Sequence, residues 1–214
     1  MRIPRHIAVI PDGNRRWALS KGLQKSQGYE HGLHPGVSLY EQCLSLGVEE
    51  MTFYGFTNDN TKRPSEESKA FRKACVDAVQ QINDKDAAIL VVGNSESSQF
   101  PDELKKYLVR QKSGKNLMRV NFLVNYDWHW DLNQSARPQG NRRIDLLESI
   151  CSAQIPRIDL VIRWGGRRRL SGMLPLQTVY SDFYVLDKLW PDLESSDLEM
   201  ALDWYSQQDI TLGG

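Results

Sequence analysis

Residues 11–17 read PDGNRRW and put one carboxylate, one glycine, one amide and two guanidinium groups into a single short stretch. Gly13 lets the backbone turn tightly, and the main-chain N–H groups of Gly13, Asn14 and Arg15 can face a phosphate there. Asp12 is one hard oxygen ligand, and magnesium is usually held by one or two carboxylates together with substrate phosphates. Arg15 and Arg16 would neutralise the phosphate charge that remains. An ordinary Asp-Gly turn followed by two solvated arginines has the same spelling.

A second cluster, RWGGRRRLS at 163–171, holds four arginines, two adjacent glycines and a serine. Arginine forks match phosphate oxygens bidentately, and the glycines let the main chain join in. A basic surface loop or a nucleic-acid patch is the alternative. Nucleic acid is disfavoured because Lys+Arg and Asp+Glu are both 27 and no aromatic platform accompanies the patch. A third stretch, FTNDNTKRPSEE at 56–67, offers Asn60 and Arg63 as ligand candidates, while Glu66 suits the first turn of a helix. His6 reads as a structural hydrogen-bonding residue. His31 and His34, three apart, find no matching metal ligand nearby in sequence. Trp128 and Trp130 read as cavity walls or plain core. The fingerprints GxGxxG, Walker A, GxSxG and HExxH are absent.

These groups need a scaffold that gathers them. Short apolar segments at 7–10, 51–56, 89–92, 120–124 and 160–162 read as strands. Residues 35–46 read as a helix with Val37, Tyr40 and Leu44 on one face and Gly47 after its end. Residues 64–79 read as a Pro-started helix with Phe71, Cys75, Ala78 and Val79 as its apolar stripe. Ser196 with Glu199 resembles a capping box that opens a last helix through Trp204, and 133–143 reads as a polar surface loop. Strands alternating with helices predict one α/β domain over residues 1–214, with a mostly parallel central sheet flanked by helices. In such sheets ligands bind beyond the carboxyl ends of the strands. The polar clusters stand at those ends.

The three cysteines, Cys43, Cys75 and Cys151, form no metal-ligand pattern and read as reduced core thiols. No apolar run is long enough to span a bilayer, and the N-terminus lacks the pattern of a signal peptide. A cytoplasmic protein is expected, with membrane contact at most peripheral, through a lipid product if there is one.

Together these residues resemble the cis-prenyltransferase family of undecaprenyl diphosphate synthase-like enzymes, nearly end to end. HIAVIPDGNRRWA at 6–18 resembles H-x-x-x-x-x-D-G-N-x-R-W-A. Residues 57–64 resemble S-x-x-N-x-x-R-P, with Asn60, Arg63 and Glu67 in register. DLVIRWGGRRRLS at 159–171 resembles D-L-x-I-R-T-G-G-E-x-R-x-S, and LWPDLE at 189–194 resembles L-W-P-D-F. The resemblance implies a homodimer with a hydrophobic tunnel beside the sheet, acting on prenyl diphosphates with Mg2+. It places the allylic donor on Gly13, Asn14, Arg15, Arg16, Trp17 and Arg63, with Asp12, Asn60 and Arg16 catalytic. It places the acceptor on Arg163, Arg167, Arg169 and Ser171, and the metal on Asp12 and Asp182. On the donor side the one departure is Tyr29, in the place of a histidine that would help handle the donor diphosphate. The others cluster on the acceptor side: Trp164 and Arg167 replace a threonine and a glutamate, Asp182 is one methylene shorter than the family's glutamate, and Thr211 stands where an arginine is expected. They imply an unusual acceptor, with a short-chain or irregular, lavandulyl-type product. A catalytically silent or partner-dependent subunit is the alternative.

Overall fold

A computed structural model describes residues 2–57, 60, 62–111, 114, 115, 117–133 and 143–209. Six strands, β1 (His6–Ile10), β2 (Glu50–Tyr54), β3 (Ala88–Val92), β4 (Arg119–Leu123), β5 (Leu160–Arg163) and β6 (Asp182–Val185), form one sheet in the order β3-β4-β2-β1-β5-β6. Every pairing is parallel. A parallel sheet is covered on both faces, so its central strands are buried along their length rather than on alternate residues. β1, β2 and β3 are buried at every position.

One face packs on α3 (Leu33–Ser45), α4 (Ser65–Asn83) and α7 (Ser195–Ser206), where Leu39, Cys43, Val79, Ile82, Leu198 and Leu202 meet Ile7, Val9, Met51 and Phe122. The opposite face carries Ala8, Ile10, Leu90 and Val161 under Ile155, Ile158, Met173 and Leu174. Burial pushes the Cys43 and Cys75 thiols up to about 12, so both stay neutral and act as packing groups. Pro64 directly precedes α4, and Glu66 and Glu67 sit in its first turn, where they complement the helix dipole.

Two sequence expectations are corrected. β6 is a sixth strand that no apolar run announces, since its four residues are only half-buried at the sheet edge. The last helix is capped by Glu194 and Asp197 rather than by Ser196 and Glu199. Asp197 is fully buried, accepts from the Glu194 backbone N–H at 2.9 Å and holds Lys188 at 2.8 Å, which fixes the start of the helix at Ser195. The loop expected at 133–143 falls mostly outside the described residues, as do Asn58, Asp59 and Thr211. Among the described residues no helix is long and apolar enough to cross a membrane.

Candidate active site

Because all six strands run the same way, their carboxyl ends share one edge, and the chain leaves β1, β2 and β5 there with its polar clusters. Ile10 pairs with Arg163, and Arg163 with Val185, so the residues after β1 and β5 emerge side by side. Gly13 has φ 115°, and a Cβ on it would lie 2.9 Å from Leu189 Cδ2, so only glycine lets this turn pack. The turn leads into α1 (Asn14–Ser20).

Asp12 ties the two arginine clusters together. Its Oδ2 accepts from Arg163 Nη2 at 2.8 Å, and its Oδ1 lies 3.4 Å from Arg16 Nη2. Arg163 is 4% exposed and spends its other terminal nitrogen on the Arg169 carbonyl and, at 2.9 Å, on Ser171 Oγ. Ser171 is held at φ 54°, a left-handed conformation unusual outside glycine, and the Tyr54 hydroxyl donates to its carbonyl at 2.7 Å. Arg16 also donates to the Gly165 carbonyl at 2.8 Å, joining the first cluster to the second. Arg15 pairs with Glu67 at 3.1 Å. Asn60 donates to Thr57 Oγ1, and its carbonyl accepts from Ser68 Oγ at 3.2 Å.

These residues wall a polar cleft of about 540 Å³ lined by Asp12, Gly13, Asn14, Asn60, Ser171 and six arginines: Arg15, Arg16, Arg63, Arg163, Arg167 and Arg169. Among the described residues of that lining, Asp12 is the one carboxylate. An excess of guanidinium groups in a concave site suits a multiply charged anion, and two diphosphates would supply that charge. Beside the cleft lies an apolar cavity of about 80 Å³ walled by Leu33, Val37, Phe53, Ala74, Ala78, Ile82, Phe122 and Trp190. Pro11, Asn14, Tyr29, Gly55 and Phe71 line both spaces and form the neck between them. A charged head group and a hydrocarbon tail can thus be held at once.

Residues 10–213 match the family model described as "Putative undecaprenyl diphosphate synthase". The chain belongs to the cis-prenyltransferase family. It is 29% identical over 229 residues to the ditrans,polycis-undecaprenyl-diphosphate synthase of Escherichia coli, covering 98% of this chain and 90% of that protein. The enzyme of the same name from Pectobacterium atrosepticum is 30% identical over 230 residues, covering 99% and 90%. Both relatives are described as specific for (2E,6E)-farnesyl diphosphate. The fold matches that of a lavandulyl diphosphate synthase from Lavandula x intermedia, solved with dimethylallyl diphosphate, at TM-score 0.86 and 22% identity over 99% of this chain and 98% of that one.

For this family member, the structure gathers most of the expected site residues and separates Trp17 and Asp182 from them. Trp17 does not line the cleft: its Nε1 donates to Asp192 Oδ1 at 2.7 Å and its ring packs on His31 at 4.6 Å, so it ties the first motif to LWPD. Trp164, one of the departures on the acceptor side, is not in the cleft lining: it is fully buried in the core, 4.9 Å from Trp190. Asp182 is paired with Leu160 at the amino end of β6, three residues before the Val185 that flanks Arg163. Three residues of strand span about 10 Å. Asp182 there faces Arg2 at 4.0 Å, burial pushes its carboxyl up, and it is not brought to Asp12.

A magnesium ion fits the remaining donor set in one way only. Among the described residues no group of three or more His, Cys, Asp or Glu could hold a metal by itself. Asp12, one-third exposed at the cleft, is a single anchor that leaves the other positions to substrate oxygens and water, the usual arrangement for this ion. The neck residues Tyr29 and Phe71 were not singled out as ligand contacts by sequence. They lie 42 positions apart and meet only because α2 (Gly28–His31) packs on α4.

Proposed function

We propose that this protein transfers a prenyl group from an allylic diphosphate to isopentenyl diphosphate or a related prenyl acceptor, releasing diphosphate. The observation that supports this reading is the neck: an arginine-lined cleft opens into an apolar cavity, which suits a prenyl diphosphate with its carbon–oxygen bond at their junction. Arg15, Arg16 and Arg63 hold the donor diphosphate, and Arg163, Arg169, Ser171 and Arg167 hold the acceptor head group. Magnesium bound at Asp12 would supply positive charge to the departing diphosphate. As the allylic carbon leaves, the preorganised guanidinium groups stabilise the charge that builds on the diphosphate, and the apolar cavity keeps water from the allylic cation. The acceptor double bond then attacks. The proton it loses passes to an oxygen of the acceptor diphosphate or to Asp12.

A short or irregular, lavandulyl-type product is favoured by the small size of the cavity beside a much larger cleft, and by Arg167 on the acceptor side. The reading includes a magnesium-dependent, cytoplasmic homodimer. Given geranyl diphosphate with equal isopentenyl and dimethylallyl diphosphate, the protein should give short products that include dimethylallyl units beyond the starter, identified by mass spectrometry. A single regular series of cis-elongated chains would refute the irregular product while leaving the prenyl transfer intact. The second reading, a partner-dependent subunit, is favoured by Thr211 in the place of the family's arginine. Turnover that appears only after a second family member is added would replace the first reading by the second.

A further inference from the structure

Of the five described residues that form the neck, Tyr29 alone brings a hydroxyl to it. The residue is 4% exposed, and its ring lies flat on Phe71 with centroids 4.5 Å apart and planes 4° from parallel. Arg63 Nη1 donates to the Tyr29 hydroxyl at 2.8 Å, and the same guanidinium lies 5.2 Å over the Phe71 ring. A phenol oxygen that accepts from Arg63 still has its own O–H to give. Burial raises the Tyr29 hydroxyl above its ordinary value, although Arg63 and Arg15 pull the other way, so it keeps its proton throughout the neutral range. The group is a fixed neutral donor, aligned by a cation, at the junction of head group and hydrocarbon.

We propose that Tyr29 is a catalytic residue that hydrogen-bonds the donor oxygen from which the allylic carbon departs, with Arg63, held on the same phenol oxygen, balancing the charge. The inference rests on the prenyl-transfer reading and deepens it. The carbon–oxygen bond breaks, its electron pair stays on the diphosphate oxygen, and the proton stays on Tyr29 throughout. A donor aimed where charge develops does most of its stabilising after that bond has begun to break. Tyr29 therefore acts on kcat more than on donor binding.

The test uses the whole chain with Tyr29→Phe, which keeps the ring and its stack on Phe71 and removes only the oxygen. An unchanged melting temperature, within a few degrees, verifies the fold. With geranyl diphosphate as donor, kcat should fall at least about tenfold while the donor KM stays within about threefold. Binding supplies a readout independent of turnover. Inorganic diphosphate, which carries the charge of the departed leaving group, should bind at least about fivefold more weakly to the variant. Geranyl S-thiolodiphosphate, with sulfur at the bridging position, should bind within about twofold of wild type, since sulfur is a weak acceptor. Equal weakening of both ligands, or of neither, overturns the proposal and leaves Tyr29 a packing residue. If the wild-type chain transfers no prenyl group at all, the functional reading fails, while the contrast between the two ligands still decides what Tyr29 does.

Discussion

Asp12 meets two guanidinium groups, from Arg163 at 2.8 Å and Arg16 at 3.4 Å, and is the sole acid among the described residues that line the cleft. Removing it frees two cations that it now orients and, on the proposed function, would take away the carboxylate that anchors magnesium. Asp12→Ala should lower turnover at least about a thousandfold, because metal and arginine alignment are lost together. Its cost in stability should be only about 1–2 kcal/mol, since one hydrogen bond to the buried Arg163 is lost while that nitrogen stays near the solvent-filled cleft. Circular dichroism matched to wild type, together with activity within about tenfold, would contradict the assignment. At this scale the arginines and Asp12 were legible in the sequence because charged residues that directly follow a buried strand must emerge at its carboxyl end. Trp17, Trp164 and Asp182 were misplaced because motif spacing says nothing about which way a side chain points. The signal for Trp164 was nonetheless present: it continues the alternation of Leu160 and Ile162, which face the core.

The strands carry a second polar system at the opposite, amino edge of the sheet. His6 of β1 is buried, with Nδ1 3.1 Å from the Arg157 carbonyl and Nε2 2.8 Å from Thr52 Oγ1 of β2. The carbonyl fixes the proton on Nδ1, so Nε2 accepts from the Thr52 hydroxyl. Asn121 of β4 donates to Thr52 Oγ1 at 2.9 Å and to Glu50 at 2.8 Å, and Arg119 pairs with Glu50 at 2.9 Å. Desolvation lowers the pKa of His6 despite the attraction of Glu50. The unfolded chain then binds the proton more readily than the folded one. His6 costs nothing above about pH 6.5, and its protonation destabilises the fold progressively as pH falls below that value. Between pH 7.5 and 5.5 wild type should lose about 0.5–1 kcal/mol more stability than His6→Gln, read from urea midpoints. The same loss in both would show that the histidine is not held neutral. This network links β1, β2 and β4 through residues that sequence scatters over 115 positions, from His6 to Asn121, and only His6 suggested it in advance. β6 stayed hidden for a related reason: a short, half-buried edge strand needs no apolar run, whereas the central strands cannot do without one.

At the scale of the molecule, one polar cleft and one apolar cavity meet at one neck, and the parallel sheet is what brings them together. Every strand delivers its polar continuation to the same edge, while α3 and α4 supply the small and aromatic residues of the cavity wall, Gly36, Val37, Phe71, Ala74 and Ala78. The architecture was legible from the alternation of strands and helices. The cavity was expected only through the family resemblance, as a tunnel beside the sheet, and its size was not legible, because its volume depends on how far two helices stand from the sheet. Dimer formation and the need for a partner chain are matters of the assembled protein, and the same assay bears on them when the chain is tested alone. That assay measures inorganic diphosphate and prenyl product released by the purified chain from geranyl diphosphate and isopentenyl diphosphate, with magnesium and again with a chelator. A longer prenyl diphosphate, with one diphosphate released for each isopentenyl unit added, formed with magnesium and lost on chelation, is the expected result. No diphosphate release from any allylic donor by the chain alone would contradict the account.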